Sequence, residues 1–159
     1  MENTVSANRA PLVVSMTSRL RAPARRVYDT IANYRTGHPR ILPKQFANLT
    51  VDEGGIGAGT TIHFDFRVFG QTTTLRAVVS EPEPGRVLVE RNTSGNDAVS
   101  TFIVEPLGAN EANVTIKTEM TTRAGVAGWI EAWMIRRVLE STYQEELRLL
   151  EKVASTPEA

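Results

Sequence analysis

The chain has 159 residues, 41% hydrophobic and 23% charged, which suits one soluble domain with a real core and is too apolar for disorder. Lys plus Arg and Asp plus Glu stand at 18 each, so the basic surplus that a nucleic-acid binder relies on is missing. Cysteine is absent and His38 and His63 are the only histidines, which excludes disulfides and thiolate chemistry and leaves no metal site or cofactor expected.

No stretch approaches the roughly 20 apolar residues of a membrane span. Residues 1–11 have no basic start followed by an apolar run, so they are expected to be a loose tail rather than a signal peptide, and the protein is expected to be cytoplasmic. Leu12 to Leu20 alternates, with Val14, Met16 and Leu20 on one side, the pattern of a half-buried strand. Pro23 suits the first turn of a helix, and Ala24, Val27, Tyr28 and Ile31 continue at helical spacing. Gly37, Pro39 and Pro43 leave room only for a second short helix or turn around Arg40 to Leu42.

Strands follow. Phe46 to Glu53 is the second, and Gly54 to Gly59 a flexible loop. Thr60 to Phe69 alternates Ile62, Phe64, Phe66 and Val68 against Thr61, His63, Asp65 and Arg67. Gly70-Gln71 reads as a tight hairpin turn into a strand over Thr72 to Glu81. Arg86 to Asn92, Ala98 to Glu105 and Ala112 to Thr121 complete seven strands at meander spacing. Gly125 to Ala154 is one long helix, and residues 155–159 a short tail. The whole, over 12–154, is expected to be one α+β domain, a curved antiparallel seven-stranded sheet wrapped around its C-terminal helix, with two short helices after strand 1.

The run from Val14 to Ile31, a strand ending in Ala22-Pro23 and then a helix with Val27, Tyr28 and Ile31, resembles the opening of the START-related, Bet v 1-like superfamily (SRPBCC). It is most similar to the polyketide cyclase/dehydrase group. Tyr34 and Pro43, the glycine loop, Phe102-x-Val104-x-Pro106 with Gly108, and Glu146 to Glu151 resemble later segments in the same order. The resemblance implies a helix-grip fold with a cavity between sheet and long helix. Such cavities take hydrophobic small molecules, as carriers, sensors or enzymes.

The apolar member of each strand alternation should face that cavity or simply fill the core. These are Ile62, Phe64, Phe66, Leu75, Ala77, Phe102 and Ile116, with Thr118 among them. The fifth strand has two readings. Aligned with the family pattern, Leu88, Glu90 and Asn92 point inward, and Glu90 is a carboxylate facing an apolar space, an anchor or acid/base candidate. In the other, Val87 and Val89 point inward and Glu90 is in water. His63 and Arg67 fall on the convex outer face, His38 reads as a surface turn residue near the mouth, and Tyr34 as a rim residue.

On the long helix, Leu139, Tyr143, Leu147, Leu150 and Ala154 form one stripe, which extends back through Ile135, Ala132 and Trp129 into the grip. Val126, Ile130, Trp133 and Met134 fall on the other side. They read as a contact surface for a second copy or another partner, as a face covered by the short helices or glycine loop, or as a weakly basic membrane-facing surface. Three functions are open: binding or carriage of a hydrophobic small molecule (lipid, polyketide or aromatic-like), a cyclase/dehydratase- or hydrolase-like enzyme using Glu90, Tyr34 and Tyr143, and a protein-interaction module.

Overall fold

The computed structural model describes residues 8–156; the first seven residues of the expected N-terminal tail and the last three of the C-terminal one lie outside the described residues. Seven strands form one antiparallel sheet: β1 (Arg9–Leu20), β2 (Phe46–Glu53), β3 (Thr61–Val68), β4 (Gln71–Glu83), β5 (Val87–Ser94), β6 (Val99–Gly108) and β7 (Glu111–Arg123). Helix α1 (Ala24–Ala32) and a 3-10 turn (His38–Ile41) follow β1, and α2 (Gly125–Ser155) closes the chain. The sheet order is β1-β7-β6-β5-β4-β3-β2, so the first strand pairs with the last and the meander runs between them. α2 lies against β1, β7, α1 and the 3-10 turn, the helix-grip arrangement.

Several strands run longer than their alternation suggests. β1 begins at Arg9 because Arg9 to Pro11 continue its pairing with β7, up to Arg9 opposite Arg123. β6 carries its pairing through Pro106 to Gly108, across a register shift. The β3–β4 turn is Phe69-Gly70, one residue earlier than expected, with Val68 opposite Gln71. Both turn residues have positive φ, 53° and 73°, the two-residue geometry that matches strand twist. Glycine supplies that conformation freely at position 70; Phe69 adopts it and leaves its ring in water.

The register fixes what faces inward. Leu88, Phe102 and Ile116 stand side by side on β5, β6 and β7, as do Glu90, Ser100 and Thr118. Phe64 is opposite Leu75, and Ile62, Ala77 and Asn92 form another row. Of the two readings of the fifth strand, the inward one for Leu88, Glu90 and Asn92 holds. Leu88 is fully buried, while Val87 and Val89 are only half-buried.

Trp129 departs from its expected place in the grip and is 70% exposed. The inward position one turn before Ala132 belongs to Gly128, and Trp129 sits about 100° further round the helix. Gly128 is held so tightly that a Cβ there would lie 1.6 Å from the Arg123 carbonyl oxygen. That close approach turns the indole of its neighbour outward. Val126, Ile130 and Trp133 are each at least half exposed, so the short helices and the glycine loop do not cover this face.

Candidate functional site

Between the sheet and α2 lies a cavity of about 210 Å³. Space of that size equals roughly seven waters of liquid and falls below the roughly 300 Å³ at which pockets for drug-sized ligands begin. Much of its wall is apolar: Ile62, Phe64 and Phe66 from β3, Leu75 from β4, Phe102 and Ile116 from β6 and β7, and Ile135 and Leu139 from α2. Phe46 of β2 packs on the Phe64 and Phe66 rings at centroid distances of 5.6 and 5.1 Å and lines the same space.

Polar groups gather in the wall around Glu90. Its carboxyl is largely buried, and Oε1 accepts a short hydrogen bond from the Tyr34 hydroxyl. Tyr34 is placed for this by the backbone after α1, where its N–H donates to the Gly55 carbonyl at 2.8 Å. Burial and the Glu90 charge hold the Tyr34 phenol well above its ordinary pKa, so it keeps its proton and acts as a donor.

His38 is the surprise of this wall. The expected surface turn residue is only 3% exposed. Its ring stacks on Tyr34 at 4.4 Å and meets the edge of Phe102 at 5.9 Å. Nδ1 lies 2.8 Å from the Ile31 carbonyl oxygen. A carbonyl only accepts, so Nδ1 carries a proton and donates it. Nε2 is thereby aimed at Glu90 Oε1, 3.6 Å away.

A second polar group joins β6 and β7 to α2. Ser100 Oγ and Thr118 Oγ1 are 2.8 Å apart, and Thr118 also bonds the Tyr143 hydroxyl. Burial pushes the Tyr143 phenol up. One turn on, Glu146 is buried at 3% exposure and lines the cavity. Burial holds its carboxyl well above the usual carboxylate range, and the Glu90 charge adds to the shift. Burial thus favours the protonated form of Glu146, which faces the same space as the His38–Glu90 pair. Among the described residues, no group of three or more His, Asp or Glu could hold a metal ion.

The structure thus brings to one cavity Ile62, Phe64, Phe66, Leu75, Glu90, Asn92, Phe102, Ile116, Thr118, Ile135, Leu139 and Tyr143. Ala77 and Leu88 are buried in the core behind it, and Tyr34 reaches it only through Glu90. Ala132 is half-buried against the core without lining the cavity, and Trp129 is outside. His63 is on the outer side, bonded to Asp52 at 2.9 Å, with Arg67 exposed near it.

Sequence reasoning missed Leu42, Leu49, Asn96, Ala98 and Ser100 in the wall, along with Glu146 and the burial of His38. A signal for Glu146 existed: it lies one turn from Thr142 and Tyr143 and from Leu150, inside the apolar stripe. A carboxylate in a buried stripe is the informative exception. No comparable signal marked His38, whose burial depends on the fold of Asn33 to Ile41.

Solved structures share this architecture. The NMR solution structure of KanY matches at 26% identity and TM-score 0.78, over 92% of this chain and 99% of that one. The Zhui aromatase/cyclase from Streptomyces sp. R1128 matches at 20% and 0.77, over 92% and 94%. A START superfamily protein from Mycobacterium smegmatis matches at 15% and 0.72, over 90% and 97%. No match is found among curated proteins. Residues 11–155 match the family described as polyketide cyclase / dehydrase and lipid transport, and the chain belongs to it.

Proposed function

We propose that the protein binds a compact, largely apolar small molecule of one or two rings and moves a proton on it, as a cyclase or dehydratase does. One observation carries this reading: the buried His38–Glu90–Tyr34 cluster opens onto the same small cavity as the buried carboxyl of Glu146. Dehydration needs a base to take the proton from carbon and an acid to protonate the leaving hydroxyl. Two carboxyls in different surroundings, Glu90 beside His38 and Tyr34 and Glu146 buried without a cation, supply both roles. The His38–Glu90 pair takes the proton, Glu146 gives one, and water leaves. Solvent exchange then restores the two groups. The aromatase/cyclase neighbour and the family description support the same reading. The Phe and Leu wall holds the ring, and the small volume favours one orientation.

A suitable probe is 3-hydroxy-1-tetralone, which loses water and tautomerises to fluorescent 1-naphthol. Product should form faster than in buffer, and Glu90→Gln and His38→Gln should each lower the rate at least tenfold with the fold intact. Probe bound but unchanged, with native mass spectrometry showing a resident ligand that leaves on denaturation, assigns the protein to carriage instead.

We also infer that the face of Val126, Ile130, Trp133 and Met134 takes a second copy of this chain. Its charges are self-complementary. An antiparallel pairing centred on Trp133 sets Glu140 against the positive start of the second copy's helix and Arg137 over the second copy's Trp129. The exposed Phe69 lines the shallow groove beside Trp133 and Met134 and extends the apolar surface.

A further inference from the structure

We infer that the cavity selects a ligand that brings a positive charge or a hydrogen-bond donor, an alkylamine carried on an aromatic ring above all, and rejects carboxylates and phosphates. The inference rests on the cavity being a binding site and adds the class of ligand it takes.

The carrying observation is an imbalance of charge. Two carboxyls, Glu90 and Glu146, face one cavity of about 210 Å³. The chain has 18 Lys and Arg side chains, yet none lines that cavity. Among the described residues, the ion pairs of Arg and Lys are all made elsewhere, and Glu90 meets only His38 and Tyr34. His38 can neutralise one carboxylate at most. The other must keep its proton or find a cation, because two like charges in so small a volume cannot both ionise without one.

A ligand ammonium supplies that cation. It would compensate the charge Glu146 carries once ionised, and the proton Glu146 releases passes to solvent. A neutral amine reaches the same ion pair by taking the Glu146 proton itself. The aromatic wall is compatible with either, since the faces of Phe64, Phe66 and Phe102 favour a nearby cation. A ligand carboxylate or phosphate would add negative charge beside Glu90 where no Lys or Arg lines the cavity to answer it.

The test uses one ring system with three heads: 1-naphthylmethylamine, 1-naphthylmethanol and 1-naphthoate, titrated calorimetrically at neutral pH. The amine should bind at least tenfold tighter than the alcohol, and the carboxylate at least tenfold weaker. The Glu90→Gln/Glu146→Gln double variant should bring the three affinities within about threefold, with its near-UV circular dichroism unchanged. Leu139→Phe, which fills the cavity without touching its charges, should weaken all three together. Amine and alcohol binding equally would overturn the ligand class and leave the cavity reading standing. An amine preference that survives in the double variant would overturn it too, by placing the preference outside the two carboxyls. Failure of all three to bind would overturn the cavity reading and this one with it.

Discussion

The two halves of α2 are one continuous helix and behave as two different objects. From Leu139 to Ser155 the inward face is closed: Thr142, Tyr143, Glu146, Leu147, Leu150 and Ala154 are all buried. From Gly125 to Trp133 only Gly128 is buried, and Val126, Trp129, Ile130 and Trp133 are half exposed or more. The second half is held by packing on the sheet and α1, the first by the Gly128 contact, the packing of Ala132 and an ion pair from Glu131 to Arg123 at 3.0 Å. The cavity runs from the transition into the packed half, lined on α2 by Ile135, Leu139, Tyr143 and Glu146. The loosely held half, at one end of this cavity, is the natural place for local opening.

The largest expected effect separates the halves by stability. Leu150 is fully buried, and Leu150→Ala should cost about 2–5 kcal/mol through lost burial and the void left behind. Ile130→Ala, on a half-exposed side chain, should stay within about 0.5 kcal/mol. Urea unfolding midpoints at matched slopes read both. Equal losses would mean that the first half is clamped as firmly as the second. Hydrogen exchange sharpens the same contrast, with amides of residues 130–134 expected to exchange before those of 146–150.

Glu146 gives the packed half a pH signature. Its folded carboxyl is raised above the ordinary value, so below about pH 4 both states are protonated and its contribution is intact. As pH rises, the unfolded state releases the proton first while the folded state keeps it. Stability then falls by up to about 1.4 kcal/mol per pH unit until the folded carboxyl ionises. The groups facing it in the cavity are Glu90, His38 and Tyr143, with the Tyr34 phenol behind Glu90. Comparing Glu146→Gln with the parent protein cancels their own titrations to first order. The variant should gain on the parent between pH 5 and pH 8 in urea unfolding. Identical pH slopes would mean that Glu146 is not held neutral. Tyr143→Phe should cost about 1 kcal/mol at pH 7 by removing the bond to Thr118, which keeps its contact with Ser100 at 2.8 Å.

Most of the fold was legible because period-2 and period-3.6 patterns report which face is buried. The strand meander and the stripe from Leu139 to Ala154 followed from that alone. The fifth strand was not decidable by pattern, because Val87 and Val89 compete with Leu88 for the inside. Pairing settles it, since β6 and β7 present Phe102 and Ile116 beside Leu88. His38 was out of reach for another reason. Its burial comes from Tyr34 and Phe102, which are far apart in sequence or in a turn with no period. Trp129 failed because a helical wheel assumes a surface of constant depth beneath it, and at Gly128 the backbone comes too close to leave room.

The smallest stability effect belongs to the exposed half, where the readout changes from stability to mass. Trp133 is 54% exposed and carries Arg137 over its ring at 5.5 Å. Trp133→Glu therefore removes a surface cation–π contact of about 0.5–1 kcal/mol at most and leaves the core untouched. Its effect on association should be far larger. A glutamate at the centre of an antiparallel pairing meets its own copy, two carboxylates in an apolar contact with only Arg137 and Arg136 nearby to answer them. Sedimentation velocity should show the parent associating with rising concentration and the variant remaining monomeric, while both unfold at nearly the same urea concentration. Arg137→Ala should weaken association less, because it removes the reach toward Trp129 without placing charge in the seam. A parent protein that stays monomeric at high concentration would end the pairing. The apolar face would then be a consequence of how little of α2 the sheet needs in order to hold it.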